Sequence, residues 1–495
     1  MKHYSFIVIL SLAATLLFSC NEIDNVGFDA ASAIDQQIAS KAPSINVTQN
    51  EAQGIADRFM RSEAGNRGVA TKSSTSKRVS SSAAVREDGQ DLMYIFNYED
   101  GGFVIVGSTR NYYPILAYSD KGSFELQDDM GPVDVWLDET KVSIKNSGSL
   151  DNETKAQMQN LWERYDGTFV DPAQELLAAR RPQTRSAGED SCWAEIERLQ
   201  AQYGSEGWTF LPLSFVEDLF DDLGLSNEYA NICYYATQNH SALNETVIGY
   251  RNPVHHIVNP LIGTEWFQRK AFGRLCPYKV AGCGAVAAGQ VMFYYKYPMS
   301  MTWKNDTFGW DKIPKNHTYD TTQRQSHLMR MLGQKFQMNY RPDSTSATNV
   351  ANIVNGLDSL GYYASSSSHN TWTVRNSLYV NRRPVIMFGA ETTNTNDDGH
   401  FWVCEGVHEI IYDAIEFYTE HQLNSSGTYT QGMYSYNTPG IEGGSIFYHY
   451  FYMNWGAGRN TDPNATYNGW FASNDVEYEE GNPQYLRTNI YVSVP

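Results

Sequence analysis

The sequence predicts an α+β architecture. Beyond about residue 190, helical patterns come first and strand patterns follow, without the regular strand–helix alternation that a parallel sheet requires. Aromatics are abundant, with 33 Tyr, 22 Phe and 11 Trp in 495 residues, which suits strand-rich structure. Apolar residues make up 41% and charged residues 19% of the chain, so a large core can be buried and a wholly disordered or fibrous chain is excluded. The length accommodates about two to four domains, or one large enzyme domain with an accessory one.

The elements follow in order. Residues 1–20 read as an export signal: Lys2 supplies the basic start, and Phe6 to Phe18 is an almost unbroken apolar run, short for a membrane span. The run ends Leu17-Phe18-Ser19-Cys20, which resembles a bacterial lipobox and makes Cys20 the expected lipidated first residue. Phe18 is bulkier than the usual residue there, which leaves cleavage by the ordinary signal peptidase as the alternative. No later segment holds 18 consecutive apolar residues, so membrane attachment is expected only through a lipid at Cys20. Residues 21–45 are polar and tether-like. Thr48-x-x-Glu51 opens a helical pattern to Arg61 as a capping box, and the Ser/Lys-rich Thr71 to Ser82 is expected to be mobile. Two apolar runs flank Glu99-Asp100-Gly101-Gly102, a hairpin signal. Helical patterns return between about Gly131 and Arg164.

Residues 178–188 (AARRPQTRSAG) form an exposed, protease-accessible connector and the main expected boundary. Trp193 to Tyr203 and Val216 to Leu223 read as short helices, and Leu261 to Lys270 as a loop. Gly282 to Tyr297 reads as a helix closed by Pro298. Ser326 to Phe336 and Asn349 to Leu360 are further helices. Pro384 to Gly389, His400 to Val407, Tyr452 to Trp455 and Tyr485 to Val494 are strands. No internal repeat is apparent.

Charge and cysteine usage narrow the chemistry. Lys plus Arg total 37 against 56 Asp plus Glu, giving net −19, which argues against nucleic-acid or anionic-lipid binding because phosphate neutralisation needs clustered cations. The six cysteines are Cys20, Cys192, Cys233, Cys276, Cys283 and Cys404. With Cys20 lipidated, five remain, an odd number that points to at least one free thiol. Pairing among Cys192, Cys233, Cys276 and Cys404 is left open. No CxxC pair supports a zinc ribbon or thioredoxin motif.

Cys283 lies in Ala281-Gly282-Cys283-Gly284-Ala285, at the first turn of its helix. A helix N-terminus carries unsatisfied N–H groups and about half a positive charge, which stabilises the thiolate that acts as nucleophile. A small cysteine packed beneath a helix is the competing reading, and position alone does not decide. Gly282-x-Gly284-x-x-Ala287 also matches a dinucleotide fingerprint, but residues 275–279 are no clean buried strand and no βαβ repeat surrounds it. His400 opens a strand behind Gly399, and its alternative is a histidine at a loop edge. A thiol and an imidazole together can form a thiolate–imidazolium pair that attacks a carbonyl and protonates the leaving amine. The Gln268 amide could donate to an oxyanion, the Asn454 carbonyl could hold the imidazole by its second nitrogen, and Trp455 could shield that bond from water.

Gln, then Cys on a helix, then His on a strand, then Asn-Trp is the order of papain-like cysteine peptidases, and the chain resembles more closely the streptopain family of secreted bacterial cysteine peptidases. The residues that carry this are Thr264-x-Trp266-x-Gln268, Gly282 to Met292 (GCGAVAAGQVM) with Tyr297-Pro298, Gly399-His400, and Asn454-Trp455-Gly456-x-Gly458. They span about residues 185–495, and Phe96 to Asp120 resembles that family's propeptide. The resemblance implies a papain-like fold (a helical part plus an antiparallel sheet part) over 186–495, preceded by an α+β inhibitory pro-domain over 21–185. It implies Cys283 as nucleophile, His400 as acid–base partner, Gln268 at the oxyanion hole and Asn454 with Trp455 beside the imidazole. It also implies a zymogen and a preference for a bulky apolar residue just before the scissile residue. Phe267 in place of a small glycine, Ala457 in a place often aromatic, and a long Tyr/Gly/Ser-rich 412–445 region depart from the family pattern and bear on substrate preference.

Activation is expected at Arg180, Arg181 or Arg185 by an Arg-cutting protease in trans, with self-processing near Leu176-Leu177 as the alternative. The zymogen is expected at the outer membrane or cell surface, with active enzyme released after processing. No cofactor or metal is expected. His255-His256 are adjacent and cannot easily face one ion, and His408-Glu409 lacks the second histidine of HExxH. The partners expected are protein or peptide substrates. Two other functions fit the same residues: a catalytically idle surface lipoprotein that binds proteins, and a Cys–His acyltransferase or amidase.

Overall fold

The computed structural model describes residues 44–66, 78–169, 187–204, 207–222, 226–238, 246–269, 271–316, 324–343, 346–390, 399–412, 416–423, 429–434, 446–457, 467–474 and 487–495. The export signal with Cys20, the 21–43 tether, residues 71–77, Leu176-Leu177 and the three connector arginines lie outside these residues.

The first helix, α1 (Gln49–Asn66), starts as its sequence predicts. The Thr48 backbone N–H and hydroxyl donate to Glu51 Oε2 at 2.8 and 2.7 Å, and the Glu51 N–H donates back to Thr48 Oγ1 at 3.4 Å, closing a capping box. Four antiparallel strands follow: β1 (Val79–Glu87), β2 (Gln90–Tyr98), β3 (Phe103–Gly107) and β4 (Ile115–Ser119). The β2–β3 turn falls at Glu99–Gly102, where Gly102 has φ 100° and any Cβ would meet Ser119 O at 2.6 Å. Val79–Ser82, assigned by composition to a mobile stretch, belongs to β1. Ser81 and Ser82 pair with Asn97 and Phe96, because a neighbour strand buried from Leu92 to Tyr98 supplies a hydrogen-bonding edge that composition does not reveal. Helices α2 (Pro132–Asn146) and α3 (Asn152–Asp166) complete this N-terminal part. Asp151 caps α3 by accepting from the Thr154 N–H at 2.8 Å.

The rest of the chain alternates more than the sequence suggests. It runs α4 (Ala187–Tyr203), β5 (Thr209–Pro212), α5 (Glu217–Asp222), α6 (Ser226–Gln238), β6 (Val247–Arg251) and β7 (Val254–Val258). It continues through α7 (Cys283–Tyr295), β8 (Ser300–Trp303), β9 (Asp306–Gly309), α8 (Arg324–Lys335), β10 (Asn339–Tyr340), β11 (Ser346–Ala347) and α9 (Val350–Asp358). Then come β12 (Tyr363–Ser368), α10 (Thr371–Tyr379), β13 (Val385–Gly389), β14 (His400–Tyr412), β15 (Glu416–Leu423) and β16 (Tyr429–Tyr434). The last strands are β17 (Ile446–Asn454), β18 (Gly469–Ala472) and β19 (Thr488–Ser493). Strands β5 to β12 are interspersed among helices α4 to α10, and only from β13 onward does the chain run through strands alone among the described residues. The class is α+β, with mixed helix and antiparallel sheet.

One 11-stranded antiparallel sheet organises the molecule, in the order β1-β2-β3-β4-β18-β17-β14-β13-β19-β12, with β7 also on β14. The N-terminal strands are continuous with it: Tyr118 and Ala117 of β4 pair with Trp470 and Phe471 of β18. Its centre is buried on both faces. Phe401 and Val403 of β14 and Ile386 of β13 pack with α7 and α8, whereas Trp402, Cys404, Val385 and Met387 pack with the N-terminal part, including Trp136 of α2. Burial on both sides explains why 400–412 reads as an apolar run rather than an alternating one.

Polar contacts seal the second face. Glu139 of α2 and Arg487, beside β19, form a buried bidentate pair (Glu139 Oε1 to Arg487 Nε 3.0 Å). The Trp136 indole donates to Ala472 O at 3.2 Å, and Asn474 accepts from the Tyr112 hydroxyl at 3.0 Å while donating to Thr140 Oγ1 at 2.8 Å. Burial pushes the Glu139 carboxyl up to about 7 against the opposing pull of Arg487. Glu139→Ala leaves Arg487 as an uncompensated buried charge and is expected to cost about 3–5 kcal/mol, whereas Glu139→Met with Arg487→Met should fall within about 1 kcal/mol of wild type. Urea unfolding of the two variants, followed by tryptophan fluorescence, checks this.

Candidate active site

Helix α7 begins at Cys283 and is apolar on every side. Gly284 through Phe293 are all buried, which requires cover from several directions. Two glycines permit the close approach: a Cβ at Gly284 would lie 2.9 Å from Ile353 Cδ1, and one at Gly289 would lie 2.8 Å from Met329 Cε. The chain enters the helix through Gly282, at φ 91° and ψ 139°, a backbone that side-chain-bearing residues rarely adopt. A Cβ there would meet Met338 Cε at 2.0 Å and Ser346 Oγ at 2.7 Å. Cys283 therefore leaves a strained turn directly at the open N–H groups of the helix, half-buried rather than enclosed.

His400 is the first residue of β14, paired with Gly389 across the β13–β14 ladder. The structure brings it to Cys283, and the two side chains are hydrogen-bonded. Burial alone pushes the Cys283 thiol up. The hydrogen bond and charge of His400, with the backbone N–H groups of Phe401 and Gly284, outweigh burial and hold the thiol below its ordinary value. By contrast, burial pushes Cys276 up to about 11 and holds Cys404 well above the ordinary thiol range. Cys192, Cys233, Cys276, Cys283 and Cys404 are in no disulfide, and burial also raises the Cys233 thiol, whereas the surroundings of Cys283 favour the thiolate.

The loop before α7 carries Gln268. Its backbone carbonyl accepts the Ala281 N–H at 2.8 Å, two residues before Cys283, so the Gln268 backbone is fixed against the entry to the helix. Trp266 is buried, and its indole donates to Pro314 O at 2.9 Å.

Asn454 ends β17, opposite Val403 of the histidine strand. Its amide nitrogen donates to Thr264 O at 2.7 Å and to Glu405 Oε1 at 2.9 Å. Its Oδ1, the atom expected to hold the imidazole, is buried without a hydrogen-bond partner, so the expected bond from His400 is not made in this structure. Trp455 is fully buried, with its ring against Trp402 (centroids 5.4 Å apart) and Phe471 (4.9 Å).

Sequence reading missed Glu405, Thr264 and Gln290 as a unit. Glu405 is fully buried and accepts from the Ile262 and Gly263 N–H groups at 2.5 and 2.8 Å, while Thr264 Oγ1 donates to Gln290 Oε1 at 2.6 Å. The available signal was a carboxylate inside the apolar run FWVCEGV. The adjacent histidines part company. His255 Nδ1 lies 2.9 Å from His408 Nε2, whereas His256 Nδ1 lies 2.8 Å from Glu409 Oε1, a carboxylate shared with His449 and Arg375. Among the described residues, no group of three or more His, Cys, Asp or Glu is arranged to hold a metal ion.

This arrangement of a depressed thiol on a helix start beside a strand histidine belongs to the cysteine peptidases. Residues 266–464 match the Peptidase C10 family, and residues 44–144 match Inhibitor_I69, the Spi protease inhibitor. With a Peptidase C10 (streptopain-family) segment behind a Spi-inhibitor propeptide segment, the protein is a cysteine-type endopeptidase that carries its propeptide, and so a zymogen. No curated protein matches it significantly. Among solved structures, it is similar to a cysteine-to-alanine mutant of a prointerpain A fragment from Prevotella intermedia, at 13% identity and TM-score 0.41, over 83% of this chain and 98% of that one.

Gly282→Ala tests the helix entry. The strained φ and the collision with Met338 are expected to shift Cys283, lowering the rate of its alkylation by iodoacetamide about tenfold or more and lowering the melting temperature by a few degrees. Peptide mass mapping of the labelled cysteine checks it.

Proposed function

We propose that this zymogen hydrolyses peptide bonds in proteins through a Cys283–His400 thiolate–imidazolium pair. The observation that carries the reading is the depressed Cys283 thiol, hydrogen-bonded to His400 at the head of a buried helix. The thiolate attacks the scissile carbonyl carbon, and the oxygen that becomes negative accepts a hydrogen bond from the Gln268 amide. His400 gives its proton to the leaving amine as the C–N bond breaks, leaving a thioester on Cys283. His400 then takes a proton from water, whose oxygen attacks the thioester and releases the acid and the thiolate. Asn454 holds the imidazole in the productive state, a role supported by its unoccupied, buried Oδ1 on the strand beside that of His400, and Trp455 excludes water there.

The division into an export signal (1–20), an inhibitory pro-domain (21–185) and a peptidase domain (186–495) is part of the same reading. So is lipidation of Cys20, which would anchor the zymogen at the outer membrane or cell surface. Among the described residues no helix is long and apolar enough to cross a membrane. Cleavage at Arg180, Arg181 or Arg185 by another protease would then separate the active enzyme from its anchor.

The test uses residues 21–495 beside Cys283→Ala and His400→Ala, each treated with trace trypsin under reducing conditions and assayed on casein, with intact masses recorded. Cleavage that appears on trimming near Arg185 only where Cys283 is present supports the reading. Equal inertness of all trimmed forms, or acyl transfer to an added amine without hydrolysis, overturns it. An active form from the native host that retains its lipid overturns the release step. Alkylation of Cys283 should have its midpoint below the ordinary thiol value of about 8.5. In His400→Ala burial remains and its largest counterweight is gone, leaving only the Phe401 and Gly284 N–H groups, so the midpoint should rise and the rate at neutral pH should fall about tenfold or more.

A further inference from the structure

We propose that Glu405 is a positioning residue for this reaction, its carboxylate setting both the Gln268 loop and the orientation of the Asn454 amide. The inference rests on the reading of Cys283, His400, Gln268 and Asn454 given above.

Glu405 sits at a bulge in β14, where the pairing with β17 slips between Cys404↔Met453 and Gly406↔Tyr452. The bulge leaves Glu405 outside the ladder and turns it toward the loop that leads to Gln268. Its backbone carbonyl accepts the Leu261 N–H at 2.9 Å. One carboxylate oxygen, Oε2, gathers the N–H groups of Ile262 and Gly263, and the chain turns away just beyond them at Gly263, φ 64°. The front of the loop is thus fixed to the histidine strand, and its far end is fixed to the cysteine helix by the Ala281 N–H on Gln268 O. A third tie, Thr264 Oγ1 to Gln290 Oε1 at 2.6 Å, joins the loop to α7 within its second turn.

The other oxygen, Oε1, faces Asn454 Nδ2 at 2.9 Å. An ionised carboxylate only accepts hydrogen bonds, so Asn454 must turn its nitrogen toward Glu405 and Thr264 and its oxygen away. Together with the Thr264 carbonyl, which accepts from the same nitrogen at 2.7 Å, this leaves a buried, unpartnered Oδ1, an acceptor held in readiness. Packing does not require a carboxylate here, since burying one is costly. What it supplies is simultaneous alignment of three donors from two segments. Burial pushes the Glu405 carboxyl up, opposed by the Gly263 N–H, the Asn454 amide and the Ile262 N–H. A glutamine of the same size would have to place an NH2 group against a donor.

The experiment compares wild type, Glu405→Gln, Glu405→Asp, Thr264→Val and Gln268→Ala, expressed as the full chain and activated identically. Rates on a fluorogenic peptide are expressed per alkylatable Cys283, counted by peptide mass. Glu405→Gln is expected to lower kcat about tenfold to a hundredfold with KM changed less than about threefold. It should also shift the alkaline limb of the kcat/KM profile to lower pH, because an amide held through Thr264 O alone is less firmly oriented to favour the imidazolium. Glu405→Asp should restore part of kcat, and Gln268→Ala should lower kcat without moving that limb. If Glu405→Gln does not fold, Thr264→Val carries the test through the hydroxyl end of the same network, with an expected loss in kcat of about threefold to tenfold. Wild-type kcat and pH profile per active site in the variants that fold, with only the melting temperature lowered, would overturn the inference. Unchanged kcat in Gln268→Ala would overturn the underlying oxyanion assignment instead.

Discussion

Everything at the site depends on burying one short helix completely. Helix α7 has no polar face, so the central sheet, α8 and α9 must enclose Gly284 to Phe293, and its first residue is left half-buried. That enclosure leaves little freedom. Gly284 and Gly289 are needed because neighbouring side chains stand within 3 Å of where a Cβ would be, and Gly282 is needed for the turn into the helix. Once α7 lies against Phe401 and Val403, its N-terminus and the start of β14 are adjacent, and Cys283 meets His400 as a consequence of the packing.

The same sheet couples the inhibitory segment to the enzyme. The segment matched by the Spi inhibitor supplies four strands that extend the sheet through β4–β18, and α2 covers the face that α7 does not. Trp402 and Cys404 on that face lie one residue away from Phe401 and Val403 on the other. A change in cover on one side of so thin a layer is therefore felt on the other, since close-packed interiors transmit displacement. Glu139 with Arg487, and Tyr118 with His408 (hydroxyl to Nδ1 2.7 Å), add buried polar contacts across this boundary.

A second, smaller constraint is polar. Three segments distant in sequence (the loop at 261–268, the strand at 405 and the strand end at 454) meet around one carboxylate. Buried polar groups of this kind are worth little to net stability, but they admit few alternative arrangements. A network that fixes donors and acceptors suits a site where an oxyanion donor and an imidazole acceptor must face defined directions.

Much of this was legible in the sequence. The capping box at Thr48, the hairpin at Gly101-Gly102, the helix opening at Cys283 and the strand at His400 are signalled by local rules of capping, turn chemistry and periodicity, which act within a few residues. The order of Gln268, Cys283, His400 and Asn454 along the chain, with the motifs around them, pointed to a cysteine peptidase. What the sequence could not reveal is whatever depends on segments meeting at long range. Ser81 and Ser82 became strand because β2 offered them an edge. The two faces of β14 acquired different partners, and Asn454 turned its nitrogen, not its oxygen, toward its neighbours because Glu405 lies there. Local propensity is encoded residue by residue, but the direction in which a buried amide points is decided by which acceptors the folded chain brings within 3 Å of it.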